Sequence, residues 1–176
     1  LIPFHCMNPF ILNPFQEQIL QGLRLGKRDT SFHFTIQSKY ETEVTKGIKH
    51  IEGLTGMDVD VSFSEQDNQT DSYAFYENGE LALSNSKDII RRPAGHGALL
   101  SNLNKEAHEL VFIKNIDNVQ HFNKADQSIN TWQQLGGLLI EFRNEALKLY
   151  QNPSHDGLKR LNERYQLYSE SELNLC

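Results

Sequence analysis

Three polar clusters in this chain carry residue types suited to holding a nucleotide. Ser64-Glu65-Gln66, with Asp71 close behind, offers carboxylates and an amide; Arg92-Pro93-Ala94-Gly95-His96-Gly97 offers a guanidinium and a stretch of bare backbone; Asn115-Ile116-Asp117-Asn118 sets one carboxylate among amides. The Gln66 amide donates and accepts at once, which suits the edge of a pyrimidine base. Gly95 and Gly97 lack a Cβ, so backbone can approach a base or phosphate, and N–H groups at a helix start can donate to its oxygens. Asp117 is the kind of oxygen ligand that Mg²⁺ takes together with phosphate oxygens. Arg92 suits phosphate through bidentate contacts, and His96 can orient a ligand through its ring nitrogens. Asn115 and Asn118 suit sugar and ribose hydroxyls, while Glu65 and Asp71 are further candidates for substrate contacts. Each residue also has a plain structural reading: a tight turn for the glycines, an Asx turn or helix cap for Asp117, an ordinary turn for the asparagines, solvated loops for Gln66 and Arg92.

The elements that must position these clusters follow from local pattern. Asn13 and Pro14 read as the cap and first residue of a helix that Gly26 ends. Ser31-Phe32-His33-Phe34-Thr35-Ile36 alternates as a strand, Ser38 reads as the cap of a helix from Tyr40 to Leu54, and Met57 to Phe63 alternates again. Leu1 to Phe4 and Leu110 to Ile113 are expected as further strands. Tyr73 to Tyr76 and Glu80 to Leu83 flank Asn78-Gly79, which predicts a hairpin with a type I′ turn. From Ser128 to Tyr150, Trp132, Leu135, Leu139, Phe142, Ala146 and Leu149 recur at helical spacing, so this stripe is assigned to the core; a shorter helix carries Leu158, Leu161, Tyr165 and Tyr168. Alternating strands and helices predict an α/β fold, a three-layer Rossmann-like, mostly parallel sheet with helices on both faces. Ligands in such sheets sit beyond the carboxyl ends of the strands, where the polar clusters are expected to meet.

With 176 residues, 38% of them hydrophobic and 23% charged, the chain suits one domain over residues 1–176 with a helical C-terminal part from 128 to 176. A net charge of −6 excludes a nucleic acid or anionic membrane held by bulk electrostatics. The two cysteines, Cys6 and Cys176, have no CxxC spacing and read as plain thiols of a reducing compartment. With no signal segment and no apolar run near the roughly 18 to 20 residues that span a bilayer, a cytoplasmic location is expected. No Ser-His-Asp or Cys-His spacing stands out, and His5, His33, His50, His108, His121 and His155 show no metal-ligand pattern. The chain opens on Leu1-Ile2-Pro3-Phe4 without Met, which suggests a piece of a longer one.

Taken together, Val61-Ser62-Phe63-Ser64-Glu65-Gln66, Thr70-Asp71, Arg92 to Leu100, Asn102-Leu103 and Phe112 to Asn118 resemble an uncharacterised bacterial family of domains of unknown function, itself distantly similar to the UDP-sugar pyrophosphorylases. That resemblance implies a nucleotide-diphospho-sugar transferase type of fold, Gln66 reading uracil, the Gly95 to Ala98 turn near base and sugar, and Asp117 holding Mg²⁺. It implies uridylyl transfer, in which a sugar 1-phosphate attacks the α-phosphorus of UTP in line and pyrophosphate leaves, with Arg92 and Asp117 in the catalytic roles. His96 and Ala98 depart from the Asn and Gly of the pyrophosphorylase turn. The Gly-rich phosphate loop of those enzymes has no counterpart here, so it belongs to an upstream segment or has been lost. The expected partners are therefore a nucleoside triphosphate and a sugar phosphate; the alternative is a non-catalytic nucleotide- or sugar-nucleotide-binding module. A glycosyltransferase is less favoured, since Asn115-Ile116-Asp117 is not Asp-x-Asp.

Overall fold

The computed structural model describes residues 4–26 and 30–169, which form two compact units divided between Ala125 and Asp126. The first unit mixes helices with short sheets; the second is a helical pair. Leu1 to Pro3 of the expected first strand, and Cys176, lie outside the described residues.

The first unit begins with antiparallel strands β1 (His5–Met7) and β2 (Phe10–Leu12), followed by α1 (Pro14–Gly26). The start of α1 is a reciprocal cap. The Gln16 backbone N–H donates to Asn13 Oδ1 at 3.1 Å, and the Asn13 N–H donates to Gln16 Oε1 at 2.9 Å, which satisfies two groups that a helix end leaves open. Strand β3 (Ser31–Thr35) leads through a 3₁₀ turn at Ser38–Tyr40 into α2 (Glu41–Thr55), and β4 (Asp60–Ser64) returns parallel to β3, pairing Ser31 with Asp60 and Thr35 with Ser64. Ser38 does not cap α2 with its side chain, as its sequence position suggested; its backbone N–H is held by Glu65 instead.

Alternation along β3 and β4 divides their sheet into two chemically distinct faces. Phe32, Phe34, Val61 and Phe63 pack against a core of Leu12, Ile19, Leu20, Val44, Ile48 and Ile51 supplied by β2, α1 and α2. Gly22 allows this approach, because a Cβ there would fall 2.3 Å from the Phe32 ring. The opposite face carries Ser31, His33 and Thr35 beside Asp60, Ser62 and Ser64. A parallel sheet covered by helices on both sides would instead show near-continuous apolar strands.

Beyond β4, strands β5 (Ser72–Tyr73) and β6 (Arg91–Arg92) pair antiparallel and enclose a meander with single bridges between Phe75 and Leu81 and between Leu83 and Ile89. The expected Asn78-Gly79 turn is a three-residue loop rather than type I′. Gly79 has φ 84° while Asn78 does not share a positive φ, and Tyr76 N–H donates to Glu80 O across the loop at 2.8 Å. Residues 96–99 form a 3₁₀ turn leading into α3 (Leu100–Leu103).

Leu110 to Ile113, expected as a strand, has no ladder partner, and among the described residues no sheet exceeds two strands. Val111 is 41% and Ile113 67% exposed, so the apolar run lacks the burial that would have fixed it in a sheet. The chain after it is tied to α1 by side chains three residues apart: Gln18 Nε2 donates to Asn115 O, Gln21 Nε2 to Gln120 O and Arg24 Nη1 to Phe122 O.

The second unit consists of α4 (Asp126–Gln151) and α5 (His155–Tyr165), the latter capped by Ser154 Oγ, which accepts from Gly157 N–H. Phe142 meets the Tyr165 ring edge-on, and Arg164 pairs with Glu141 and Glu145. The apolar stripe of α4, expected in the core along its whole length, is covered only in part. Trp132, Leu135 and Leu139 are 38%, 53% and 52% exposed, and the 11 residues of α5 span fewer than half of the 26 in α4. Among the described residues no helix is long and apolar enough to cross a membrane.

Candidate functional site

The carboxyl end of β4 gathers most of the expected site residues. Glu65 follows Ser64 directly, and its Oε1 accepts the Ser38 backbone N–H, which closes the loop between β3 and α2 onto the end of β4. Gln66 Nε2 donates to Asp71 Oδ1 at 3.1 Å, so the amide and the second carboxylate form one unit. Asp67 Oδ1 accepts from Gln69 N–H, shaping the turn that returns Asp71 toward Gln66. Ser72 then pairs with Arg92 across β5 and β6, which sets Arg92 beside the residue that follows Asp71. Arg91 lies over the Tyr73 ring at 5.2 Å, whereas Arg92 is exposed with no ion pair among the described residues.

The glycine turn is fastened to this edge by Asn102. Its buried Nδ2 donates to Ser64 Oγ and to the Glu65 carbonyl, each at 2.8 Å. Asn102 lies within the short helical stretch that starts after Gly95, so its two hydrogen bonds tie that stretch to Ser64 and Glu65. Neither Gly95 nor Gly97 has a positive φ, and a Cβ on either would meet nothing within 4 Å. The tight-turn explanation of these glycines therefore fails, since any residue can adopt their conformation. They leave backbone uncovered beside exposed His96.

Asn115, Asp117 and Asn118 lie on a separate feature, the segment strapped to α1. Asn115 Oδ1 accepts from Ile116 N–H, which makes Asn115 the cap of the 3₁₀ turn Ile116–Asn118, and its Nδ2 donates to Asp117 Oδ2 at 3.0 Å, so Asp117 is held by a side chain rather than forming an Asx turn. Lys114 Nζ donates to Gln21 Oε1 at 2.7 Å, and partial desolvation holds its pKa below the ordinary lysine value. None of the hydrogen bonds of Asn115 or Asp117 reaches the β4 edge.

A fit for Mg²⁺ rests on Asp117 alone. Its Oδ1 is not engaged by Asn115, but among the described residues no three His, Cys, Asp or Glu side chains form a metal-holding group. The donor set suits the mode in which phosphate oxygens and water complete the coordination around one carboxylate.

Sequence reasoning gave Ser64 and Asn102 no role of their own, although they join the parts of the site. For Ser64 the signal is the polar set of the β4 alternation, ending where ligands bind in α/β units. For Asn102 it is an amide placed between Leu100 and Leu103 in a short helical turn, where an unpaired polar group would be costly to bury.

The electrostatics of the edge give a testable pH response. The hydrogen bond from the Ser38 backbone holds the Glu65 carboxyl below its ordinary pKa. A carboxyl lowered on folding contributes stability above its unfolded pKa and loses it as the pH falls through the lower folded value. Acid titration followed by NMR should therefore move the Ser38 amide resonance together with the Glu65 carboxyl, at a pH below that of a free glutamate. Glu65→Gln should abolish the transition, and a Ser38 amide that stays fixed through the Glu65 titration would contradict the clamp.

A family model described as "Domain of unknown function (DUF4301)" matches residues 1–175. No curated protein and no solved structure matches the chain.

Proposed function

Since the chain belongs to the DUF4301 family, a domain of unknown function, we propose its role from the site itself: a nucleotidyltransferase-like domain that takes UTP and a sugar 1-phosphate at the β4 edge. The observation that carries this reading is the double hydrogen bond from Asn102, which ties the helical stretch that follows the bare Gly95 to Gly97 backbone to Ser64 and Glu65, the residues just before Gln66. In this reading Gln66 addresses the uracil edge, Gly95 and Gly97 give the base or sugar close access to backbone, and His96 borders the ligand. Arg92 lies free to neutralise phosphate, and Glu65 and Asp71 face the sugar. Asn115 and Asn118 contribute further hydrogen bonds to hydroxyls, and Asp117 is the residue to hold Mg²⁺. When bound, such an ion supplies neutralisation of phosphate charge. The β3–α2–β4 crossover is one unit of the three-layer Rossmann-like sheet that this family of transferases would require, and it supports the reading to that extent.

A second reading, a non-catalytic nucleotide- or sugar-nucleotide-binding module, is favoured by a specific observation. The Asp117 segment is anchored on α1 and shares no hydrogen bond with the Gln66 edge.

Titration calorimetry with UTP and UDP-sugars, with and without Mg²⁺, tests both. Gln66→Ala should weaken UTP binding about tenfold, the loss of roughly one well-formed hydrogen bond to the base. Asp117→Ala should abolish Mg²⁺-dependent release of pyrophosphate from UTP and sugar 1-phosphates. Absence of any nucleotide binding would sink both readings; binding with no pyrophosphate release across sugar 1-phosphates would leave only the module.

A further inference from the structure

We propose that Ser64, His33 and Glu106 form a nucleophile, base and orienting carboxylate on the polar face of the β3–β4 sheet, able to cleave short-chain carboxylic esters. His33 Nε2 lies 2.8 Å from Ser64 Oγ, and His33 Nδ1 lies 3.2 Å from Glu106 Oε1. One imidazole thus bridges a hydroxyl and a carboxylate through its two different nitrogens, the arrangement that activates a serine.

Hydrogen-bond accounting fixes the direction of the relay. A carboxylate has no proton to give, and the other Nδ1 neighbour, Ser62 Oγ, donates its own proton to the Phe32 carbonyl at 3.5 Å, so Nδ1 carries the imidazole proton toward Ser62 and Glu106 and Nε2 presents its lone pair to Ser64. Ser64 Oγ already accepts from Asn102 Nδ2 at 2.8 Å, an amide that can only donate, so the hydroxyl proton is free to point at Nε2. Thr35 Oγ1, 3.2 Å from Ser64 Oγ, further restricts the hydroxyl. Ser62 Oγ is the nearer neighbour of Nδ1, at 2.8 Å against 3.2 Å for Glu106, and His108 Nε2 stands 3.7 Å from the other Glu106 oxygen, so the carboxylate is itself positioned.

The side chains are accessible as well as aligned. His33 and Glu106 retain 22% and 18% of their side-chain surface, and Ser64 is half-buried at the strand end. The side chains hydrogen-bonded to Ser64 and His33 are those of Thr35, Ser62 and Asn102, all polar, which favours a short acyl group over a long one.

In the proposed reaction Ser64 Oγ bonds to the ester carbonyl carbon while His33 Nε2 takes the hydroxyl proton. The carbon–oxygen bond to the alcohol then breaks, and the alcohol leaves with the proton from His33. Water repeats the sequence on the acyl-serine, giving free acid and the original hydroxyl, so ester and water are converted to acid and alcohol with no other reactant.

A fluorophosphonate probe, with the modified residue located by mass spectrometry, tests the assignment on the whole chain. Ser64 should be labelled in the wild type, and Ser64→Ala should lose both the label and the hydrolysis of p-nitrophenyl acetate. His33→Ala should slow labelling about 100-fold or more, with added imidazole restoring part of the rate. Glu106→Gln should slow it about tenfold or more, with far-UV circular dichroism confirming that each variant is folded. An unlabelled Ser64 in the folded wild type, or an unchanged labelling rate in folded His33→Ala, would overturn the proposal. No nucleotide enters the experiment, so its outcome is independent of the reading given above.

Discussion

Replacing His5 with alanine is expected to destabilise the first unit by about 3 kcal/mol, because it strips the partner from a carboxylate that has no access to water. Glu17 on α1 is 0% exposed, its Oε1 lies 3.0 Å from His5 Nδ1, and its Oε2 finds no partner among the described residues. The pair holds the β1–β2 hairpin against α1, yet half of the carboxylate is already unsatisfied. A buried polar pair of this kind contributes little net stability while intact and costs much when broken from one side. Glu17→Leu in the His5→Ala background should therefore recover most of the loss, since leucine fills a similar volume without a charge to solvate. Urea unfolding gives the check, with a shift in midpoint at constant slope reporting stability alone. Equal destabilisation by His5→Ala and by the double variant would show that hairpin packing, not the carboxylate, sets the cost.

Asn102→Ala should cost about 2 kcal/mol and uncouple the glycine turn from the β4 edge. One amide nitrogen serves two acceptors, Ser64 Oγ and the Glu65 carbonyl, and both lose their donor together. Asn102→Asp is the sharper variant: it keeps the size but sets acceptor against acceptor and adds a charge at a buried position, so it should be the more destabilising of the two. Hydrogen exchange should show amides from Ala98 to Asn104 losing protection in both variants while those of α1 and α2 keep theirs. If UTP binds as proposed, its affinity should fall in Asn102→Ala although no assigned contact residue has changed. Unaltered protection around Ala98 would show that the turn is held by something other than Asn102.

Much of the first unit was legible because its signals are local. Asn13, Pro14 and Gln16 lie within one helical turn, and their cap forms as their types require. Val44, Ile48 and Ile51 share one face of α2 by spacing alone, and all three are buried. The alternation in β3 and β4 predicted both strands, and the same pattern encodes their polar face. The grouping of the candidate site residues was legible in part for a similar reason: Glu65, Gln66 and Asp71 lie within seven residues of one strand end, and Arg92 pairs with Ser72 just after them. Leu110 to Ile113 misled because its composition suits a strand, yet strand formation depends on a partner edge that residue type does not specify.

The sequence alone determined the faces of the elements: which side of α1 and α2 meets the core, and that β3 and β4 present Ser, His and Thr on their other side. Only the tertiary structure decided what those faces meet. It set Asp117 on a segment strapped to α1, with no hydrogen bond to the Gln66 edge, and it left half of the α4 stripe exposed. It also brought His33 to Ser64 across 31 residues and to Glu106 beyond, an alignment that no spacing in the chain announces. The physical reason is range. Periodicity and capping act between residues a few positions apart, whereas strand pairing and docking are settled by burial and hydrogen bonds between segments distant in sequence.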